Sequence, residues 1–450
     1  MILKNKHVVV VGLARTGVAA SKFLVSRGAK VTVTDLKKKT ELSSFIKDLS
    51  DLKRIKYVLG SHPIKTLLKA DFIIVSPGVP TNIPLLEAAR KNKMPVLSEV
   101  EFASQYIRCP IIAITGTNGK TTTTMIVGKM FLNAQKKVFI GGNIGTPLTY
   151  MLLSKEKFEV VVCEVSSFQL ENIEKFHPKA SIILNLTPDH MDRHSPEEYW
   201  KMKGRIFENQ TIKDFLILNA GDERVKTYET IAKSQIYYFG FERLTPKQEG
   251  VYFKNGKFCM KLKGSEKETY SADKLKLKGD HNKENFMAAI LVGKLLKCKP
   301  EAIQKTIDEF QAVPHRLEFV KTAGYVDFYN DSKATNVHSV AKSLQSFEKP
   351  LVLIMGGKDT DQNFEMLRSL VQEHVKILII TGEAKEKINR AIGDYSETYV
   401  VGTFEEAIFM AYQKSRAGDV ILFSPGCKSF DAFKNFEERG DRFKEMIRDI

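Results

Sequence analysis

The stretch AITGTNGKTTTTMIVGKM (113–130) decides the fold. Its apolar opening ends at Thr115, a glycine-rich turn follows, and Gly119-Lys120-Thr121 opens a helical run. Strand, turn and helix in that order build a phosphate loop. The glycines let the backbone N–H groups of Gly116, Thr117, Asn118 and Gly119 curl around an anion, and the helix N-terminus adds its positive dipole end. Lys120 reaches the outer phosphates, Thr121 offers its hydroxyl to Mg²⁺, and Thr122 completes the loop. The loop departs from G-x-x-x-x-G-K-[ST], because Ile114 stands where the first glycine belongs. A capped helix after an ordinary βα turn is the plain alternative. The strand, the G-K-T and the helix together favour nucleotide binding.

Outward from this loop, short β-branched runs alternate with helical segments, the pattern of α/β units with parallel sheets. VVVVG (8–12), KVTVTD (30–35) and DFIIVSPG (71–78) read as buried strands, and GVAASKFLVSRG between the first two reads as a helix ended by Gly28. The logic restarts at IIAIT (111–115), followed by EVVVCEVSS, ASIILNL and FLILN, and again at LVLIMGG (351–357), followed by KILIITG, TYVVG and VILFSPG. Three consecutive α/β domains follow: a Rossmann-like 1–98, a central phosphate-loop domain 99–312, and a Rossmann-like 313–450. The stretch 236–278, with an Asn-Gly turn between alternating runs, predicts antiparallel hairpins attached to the central sheet.

The 450 residues suit three domains, and 43% hydrophobic with 27% charged residues excludes a disordered chain. Five scattered cysteines without a C-x-x-C pair give neither a disulfide framework nor a zinc site. No apolar run is long enough to span a membrane and the start lacks a signal-peptide pattern, so a cytoplasmic protein without membrane insertion is expected. The 69 Lys and Arg against 53 Asp and Glu leave +16. The lysines are dispersed among acids with no basic tail, which reads as a solvated surface rather than a nucleic-acid partner.

The variant loop TGTNGKTT resembles that of the Mur ligases and of folylpolyglutamate synthase. Further landmarks, in order over essentially the whole chain, resemble the Mur ligases: GLARTGVAA, SPGVP (76–80), GGNIG (141–145), EVSSFQLE (164–171), NLTPDHMDRH (185–194), GDHNKEN (279–285), PHRLE (314–318), NDSKATN (330–336) and SPGCKSFDAFKNFEERG (424–440). The resemblance is to those that add D-glutamate to UDP-N-acetylmuramoyl-L-alanine. It implies an ATP-dependent amide ligase of peptidoglycan precursor synthesis, working as a monomer with two Mg²⁺ ions.

Residue by residue, the resemblance implies UDP contacts from Arg15, Thr16, Asp35 and the Ser76-Pro77-Gly78 turn. Read alone, Gly12–Gly17 and Asp35 also fit a degenerate NAD fingerprint lacking its middle glycine, and Asp35 fits a plain strand-end turn. Glu164 and His190 follow strands, at the sheet edge where ligands sit in open α/β folds. The resemblance gives Mg²⁺ to Thr121 and Glu164, and a second Mg²⁺ and the substrate to His190. Asn143, Ser166 and Gln169 become substrate contacts, although a tight turn and helix capping explain them as well.

Asn282, heading an amphipathic helix, joins Arg316 and Asp331 around the adenosine of ATP. Lys333 and Thr335 lie near the reacting carboxylate and the amino acid, and Ser429 and Phe436 recognise D-glutamate; Lys333 would otherwise be a solvated loop lysine and Phe436 a core aromatic. Which side chain near Lys358 and Asp359 reads the D-glutamate side-chain carboxylate stays open. Tyr199, Lys203 and RIFEN (205–209) match a pattern in which the lysine is carbamylated, so Lys203 is expected to organise the second Mg²⁺. The catalytic set implied is Lys120, His190, Lys203 and Lys333. A NAD-dependent oxidoreductase, a nucleic-acid-dependent ATPase and a sister ligase adding L-alanine or a diamino acid are the competing functions.

Overall fold

The structure, a computed structural model, describes residues 1–143, 145–188, 195–241, 244–263, 268–277, 279–311, 313–347, 351–448 and 450. The strands form three sheets. The first comprises β1 (His7–Val11), β2 (Lys30–Asp35), β3 (Ile55–Leu59), β4 (Phe72–Val75) and β5 (Val96–Ser98) in the order 3-2-1-4-5, all parallel. The valines of β1 are buried on both faces, which is why that run shows no alternation. The helix Arg15–Ser26 ends as expected: Gly28 has φ +84°, its N–H bonds Val25 O, and Ala29 N bonds Leu24 O.

The second sheet comprises β6 (Ile111–Thr115), β7 (Val138–Gly142), β8 (Val160–Glu164), β9 (Ala180–Ile183), β10 (Phe215–Asn219), β11 (Gln235–Gly240), β12 (Gly250–Lys254), β13 (Lys257–Lys261) and β14 (Thr269–Ser271). Its order is 14-13-12-11-10-9-6-8-7. The Asn-Gly hairpin forms between β12 and β13, with Asn255 and Gly256 at φ 48° and 72°, and β14 adds antiparallel. The expectation of hairpins throughout 236–278 fails at its start. The YYFG run lies in β11, parallel to β10, because the helical segment between them makes a crossover rather than a turn.

The third sheet comprises β15 (Glu318–Ala323), β16 (Val326–Asn330), β17 (Leu351–Gly356), β18 (Val375–Thr381), β19 (Glu397–Val400) and β20 (Val420–Phe423), in the order 15-16-20-17-18-19. Only β15 runs antiparallel to its neighbour, through a turn in which Gly324 and Tyr325 both have positive φ. Packing divides the chain into two compact units, Met1–Asp273 with Glu284–Ile307, and Lys274–Lys283 with Asp308–Ile450. All five cysteines are free.

Two buried carboxylates brace the first unit. Ser98 caps the helix Glu99–Ser104, and Glu101 Oε2 accepts the successive N–H groups of Glu174, Lys175 and Phe176 at 2.8–2.9 Å. Glu99 Oε1 accepts Thr149 N at 2.5 Å, but its other oxygen is buried without a partner. Burial pushes the Glu99 carboxyl up to about 7 against the Thr149 hydrogen bonds. A carboxyl raised on folding stabilises most below its unfolded value near 4.5 and loses that contribution as pH climbs through 7. Glu99→Gln is therefore expected to raise Tm relative to wild type by a gap that widens between about pH 4.5 and 7 and then levels off, at the equivalent of about 3 kcal/mol at most. Thermal melts across that range test this, and a gap that is constant or narrows with pH would refute it.

Candidate active site

In the first unit, the phosphate loop follows the fully buried β6. Gly116 and Gly119 have φ of 145° and 83°, a region that side chains resist, and a Cβ on Gly119 would lie 2.4 Å from Asn285 Oδ1. Asn185 holds the loop from behind: its Oδ1 accepts Asn118 N at 2.8 Å and its Nδ2 donates to Asn118 O at 3.1 Å. Thr117 and Thr187 exchange hydrogen bonds of 2.9 and 3.0 Å. The helix Lys120–Asn133 then starts with its N-terminus at the loop.

Two lysines converge on this loop. Lys120 Nζ donates to Gly116 O at 2.9 Å and Thr117 O at 2.7 Å. Lys203 is only 1% exposed, donates to the same Gly116 O at 2.8 Å, and sits 4.5 Å over the Tyr199 ring. The two lysine nitrogens thus share one carbonyl of the loop.

Glu164 closes β8, 2% exposed. Its Oε2 accepts Thr121 Oγ1 at 2.8 Å and its Oε1 accepts Asn143 Nδ2 at 3.0 Å, while its carbonyl accepts Asn143 N at 2.9 Å. Thr121, Glu164 and Asn143 are thus one cluster. Gly141 and Gly142 are the end of strand β7 rather than a loop; a Cβ on Gly142 would lie 2.4 Å from Glu164 O, so glycine permits the approach. A buried carboxylate against a hydroxyl beside the phosphate loop is an oxygen-donor pair suited to Mg²⁺. Ser166 caps the helix Ser167–Leu170 in a capping box with Gln169, so both polar groups have structural work there. His190 lies outside the described residues.

At the first sheet, strand order reverses between β1 and β4, and their C-terminal ends carry Gly12 and Ser76. Ser76 Oγ donates to Gly12 O at 2.9 Å. Asp35 accepts Leu13 N at 2.7 Å and Lys37 N at 3.0 Å, so its carboxylate first organises the turn. A Cβ on Gly17 would strike Gly12 O, whereas beside Gly78 lies open space. Arg15 is exposed, and Thr16 and Pro77 are half-buried.

In the second unit, Asn282 and Arg316 line a cavity of about 530 Å³ together with Lys276, Gln311, Phe319 and Tyr329. Asp331 does not line it. The Asp331 carboxylate is buried, accepts Ser343 Oγ at 2.6 Å, Ser424 Oγ at 2.8 Å and Leu317 N at 3.2 Å, and is pushed up to about 6 by burial. The helix Asp280–Leu295 is not amphipathic: residues 285–293 are buried on every face.

Lys333 Nζ lies 4.3 Å over the Phe436 ring, which is half-buried at a helix start rather than in the core. Ser429 is buried and its carbonyl accepts Phe433 N at 2.9 Å. Gln362 Nε2 ties Thr335 O to Gly426 O, at 2.9 and 3.0 Å. Among the described residues Lys358 Nζ pairs with Glu383 at 3.8 Å, and Asp359 is held by Lys387 at 3.0 Å. Motif reading missed three supporting residues. All three lie in quoted motifs, Asn185 in NLTPDH, Asn285 in GDHNKEN and Arg439 in FEERG, but nothing in the spacing shows what they hold.

Three family models match the chain: Mur ligase MurD-like, N-terminal domain, over residues 6–98; Mur ligase middle domain over 114–293; and Mur ligase, glutamate ligase domain over 315–427. A UDP-N-acetylmuramoylalanine–D-glutamate ligase of Geotalea daltonii is 45% identical over 449 residues, covering 100% of this chain and 98% of the relative. The chain belongs to the Mur ligase family. A second Mur ligase, the UDP-N-acetylmuramoylalanine–D-glutamate ligase of Bdellovibrio bacteriovorus, is 46% identical over 453 residues, 99% of this chain and 98% of its own. Among solved structures, the UDP-N-acetylmuramate–alanine ligase of Thermotoga maritima superposes with a TM-score of 0.62 at 19% identity, over 99% of this chain and 100% of that one. A pseudomurein peptide ligase of Methanothermus fervidus also gives 0.62, at 22% identity, with the same coverage. At those identities the likeness shows the Mur ligase fold alone. The three matched segments of this Mur ligase contain β1–β5, the end of β6 with β7–β14, and β15–β20 respectively.

Proposed function

We propose that this Mur ligase is an ATP-dependent, ADP-forming amide ligase that adds D-glutamate to UDP-N-acetylmuramoyl-L-alanine in the cytoplasm, as a monomer. The observation that carries the chemistry is the Thr121–Glu164–Asn143 cluster beside a phosphate loop with two lysines on it. The relatives' names supply the substrates. Domains 1–98, 99–312 and 313–450 would divide the work among UDP, ATP and amino acid.

In the first step the L-alanyl carboxylate oxygen attacks the γ-phosphorus, the bond to the ADP oxygen breaks, and an acyl phosphate forms. In the second, the neutral amine of D-glutamate attacks the acyl carbon, a proton leaves the nitrogen, and phosphate departs. The chain contributes positioning and charge neutralisation rather than covalent catalysis. The loop N–H groups cradle the phosphates, and Lys120 moves from its two carbonyls to the γ-phosphate. Thr121 and Glu164 would hold one Mg²⁺, and His190 with Lys203 a second; bound there, the ions would neutralise phosphate charge. Asn282, Arg316 and Asp331 would surround the adenosine, with Asp331 also accepting Leu317 N. Arg15, Thr16, Asp35 and the Ser76–Gly78 turn would hold the UDP, with Ser166 and Gln169 near the muramoyl group. Lys333, Thr335, Ser429 and Phe436 would receive D-glutamate.

A sister ligase adding L-alanine or a diamino acid uses the same phosphate chemistry. The test supplies the UDP substrate, ATP and one amino acid at a time and reads phosphate. D-Glutamate supports turnover; turnover with L-alanine or a diamino acid and none with D-glutamate would replace this reading with the sister activity.

A further inference from the structure

Arg439 is 2% exposed, on the helix Phe436–Arg448. Its Nε donates to Ser332 Oγ at 3.0 Å, and its Nη2 donates to Ser332 O at 2.8 Å and Cys427 O at 3.1 Å. Ser332 Oγ in turn donates to Phe436 O at 2.9 Å. One guanidinium therefore fastens the loop after β16, which carries Lys333, to the loop after β20, which carries Ser429, and both to the helix start at Phe436. The loop after β17 packs on the same group: a Cβ on Gly357 would lie 2.9 Å from Nη1. Gly440 lets the helix come this close, since a Cβ there would sit 2.1 Å from His315 Nδ1, and its carbonyl accepts Asn330 Nδ2 at 3.1 Å.

This arrangement is expensive. A buried guanidinium is stabilised best by a carboxylate, yet Arg439 bonds only carbonyls and a hydroxyl, and its Nη1 is buried without a hydrogen-bond partner. Burial lowers its pKa to about 10, with Cys427 and Asp431 opposing. A well-packed apolar side chain would fill this volume at lower cost. What an apolar residue could not do is fix the carbonyls of Ser332 and Cys427 in direction, one residue before Lys333 and two before Ser429.

We infer that Arg439 is a positioning residue for the amino-acid site, a planar fork that holds Lys333, Ser429 and Phe436 in one geometry. The inference rests on the reading of that site as the D-glutamate site. Lysine keeps the charge but, as a single ammonium, cannot span both carbonyls and the hydroxyl.

Arg439→Lys is expected to raise KM for D-glutamate at least about tenfold, as a displacement near 1 Å would, while KM for ATP and for the UDP substrate stays within about twofold. In Arg439→Ala, added guanidinium ion at low millimolar concentration restores part of the lost activity, and urea at the same concentration does not. Ser332→Ala, which removes only the hydroxyl link, shifts KM for D-glutamate in the same direction but less, and it serves if the arginine variants do not fold. Wild type assayed in parallel separates the two claims. If wild type does not use D-glutamate, the substrate reading fails. If it does, but the three KM values rise together with a fall in Tm, or D-glutamate KM is unchanged, or guanidinium does not rescue, then Arg439 is not a positioning residue.

Discussion

In purified Lys120→Ala protein, ADP formation should fall by about a thousandfold or more while the melting temperature stays near that of wild type. Both halves follow from the geometry. Lys120 is half-buried and its Nζ donates to the loop carbonyls of Gly116 and Thr117, so its truncation opens no cavity in the core. When ATP is bound, those carbonyls cannot compete with a γ-phosphate, and the ammonium neutralises charge that grows as the Pγ–O bond breaks. Removing one such charged contact from a phosphoryl-transfer site costs about 3–5 powers of ten. Steady-state rates with circular dichroism melts on the same sample test this, and an unchanged rate would remove the phosphate loop from the mechanism.

The second large effect is expected at Lys203. Lys203 is 1% exposed, shares the Gly116 carbonyl with Lys120 and lies against the Tyr199 ring. We propose that its neutral amine adds CO₂ there to give an anionic carbamate with release of a proton. The carbamate carries two oxygens of the kind Mg²⁺ prefers. Lys203→Ala should lose about a hundredfold or more of activity, and formate, acetate or propionate should restore part of it by supplying a carboxylate in the vacated space. Full activity in the variant, or none recovered with any short acid, would overturn the carbamate assignment.

The phosphate loop was legible because its chemistry is local: strand, glycine turn and G-K-T lie within 113–130. Pairings across distance were less so. Nothing in the spacing of Thr121, Asn143 and Glu164 tells that they share one carboxylate, since that depends on β6, β8 and β7 lying side by side. Strand β3 escaped because Lys56 interrupts its apolar run and none of its residues is fully buried, β5 because it has only three residues, β7 because it ends in glycine, and β15 with β16 because the Gly324-Tyr325 turn is a weaker hairpin signal than Asn-Gly. The helix Asp280–Leu295 was misread as amphipathic because polar Asn285 is buried against the phosphate loop. The contacts of Asp331 with Ser343, Ser424 and Leu317 were not legible either, since only the fold of the third sheet brings those residues together.

The central claim is that ATP activates the substrate carboxylate at the phosphate loop. Its most direct test uses UDP-N-acetylmuramoyl-L-alanine labelled with ¹⁸O in the alanyl carboxylate, with ATP and D-glutamate, and weighs the phosphate released. Attack of that carboxylate on the γ-phosphorus predicts one ¹⁸O atom in each phosphate formed. Phosphate free of the label, alongside amide product, would contradict it.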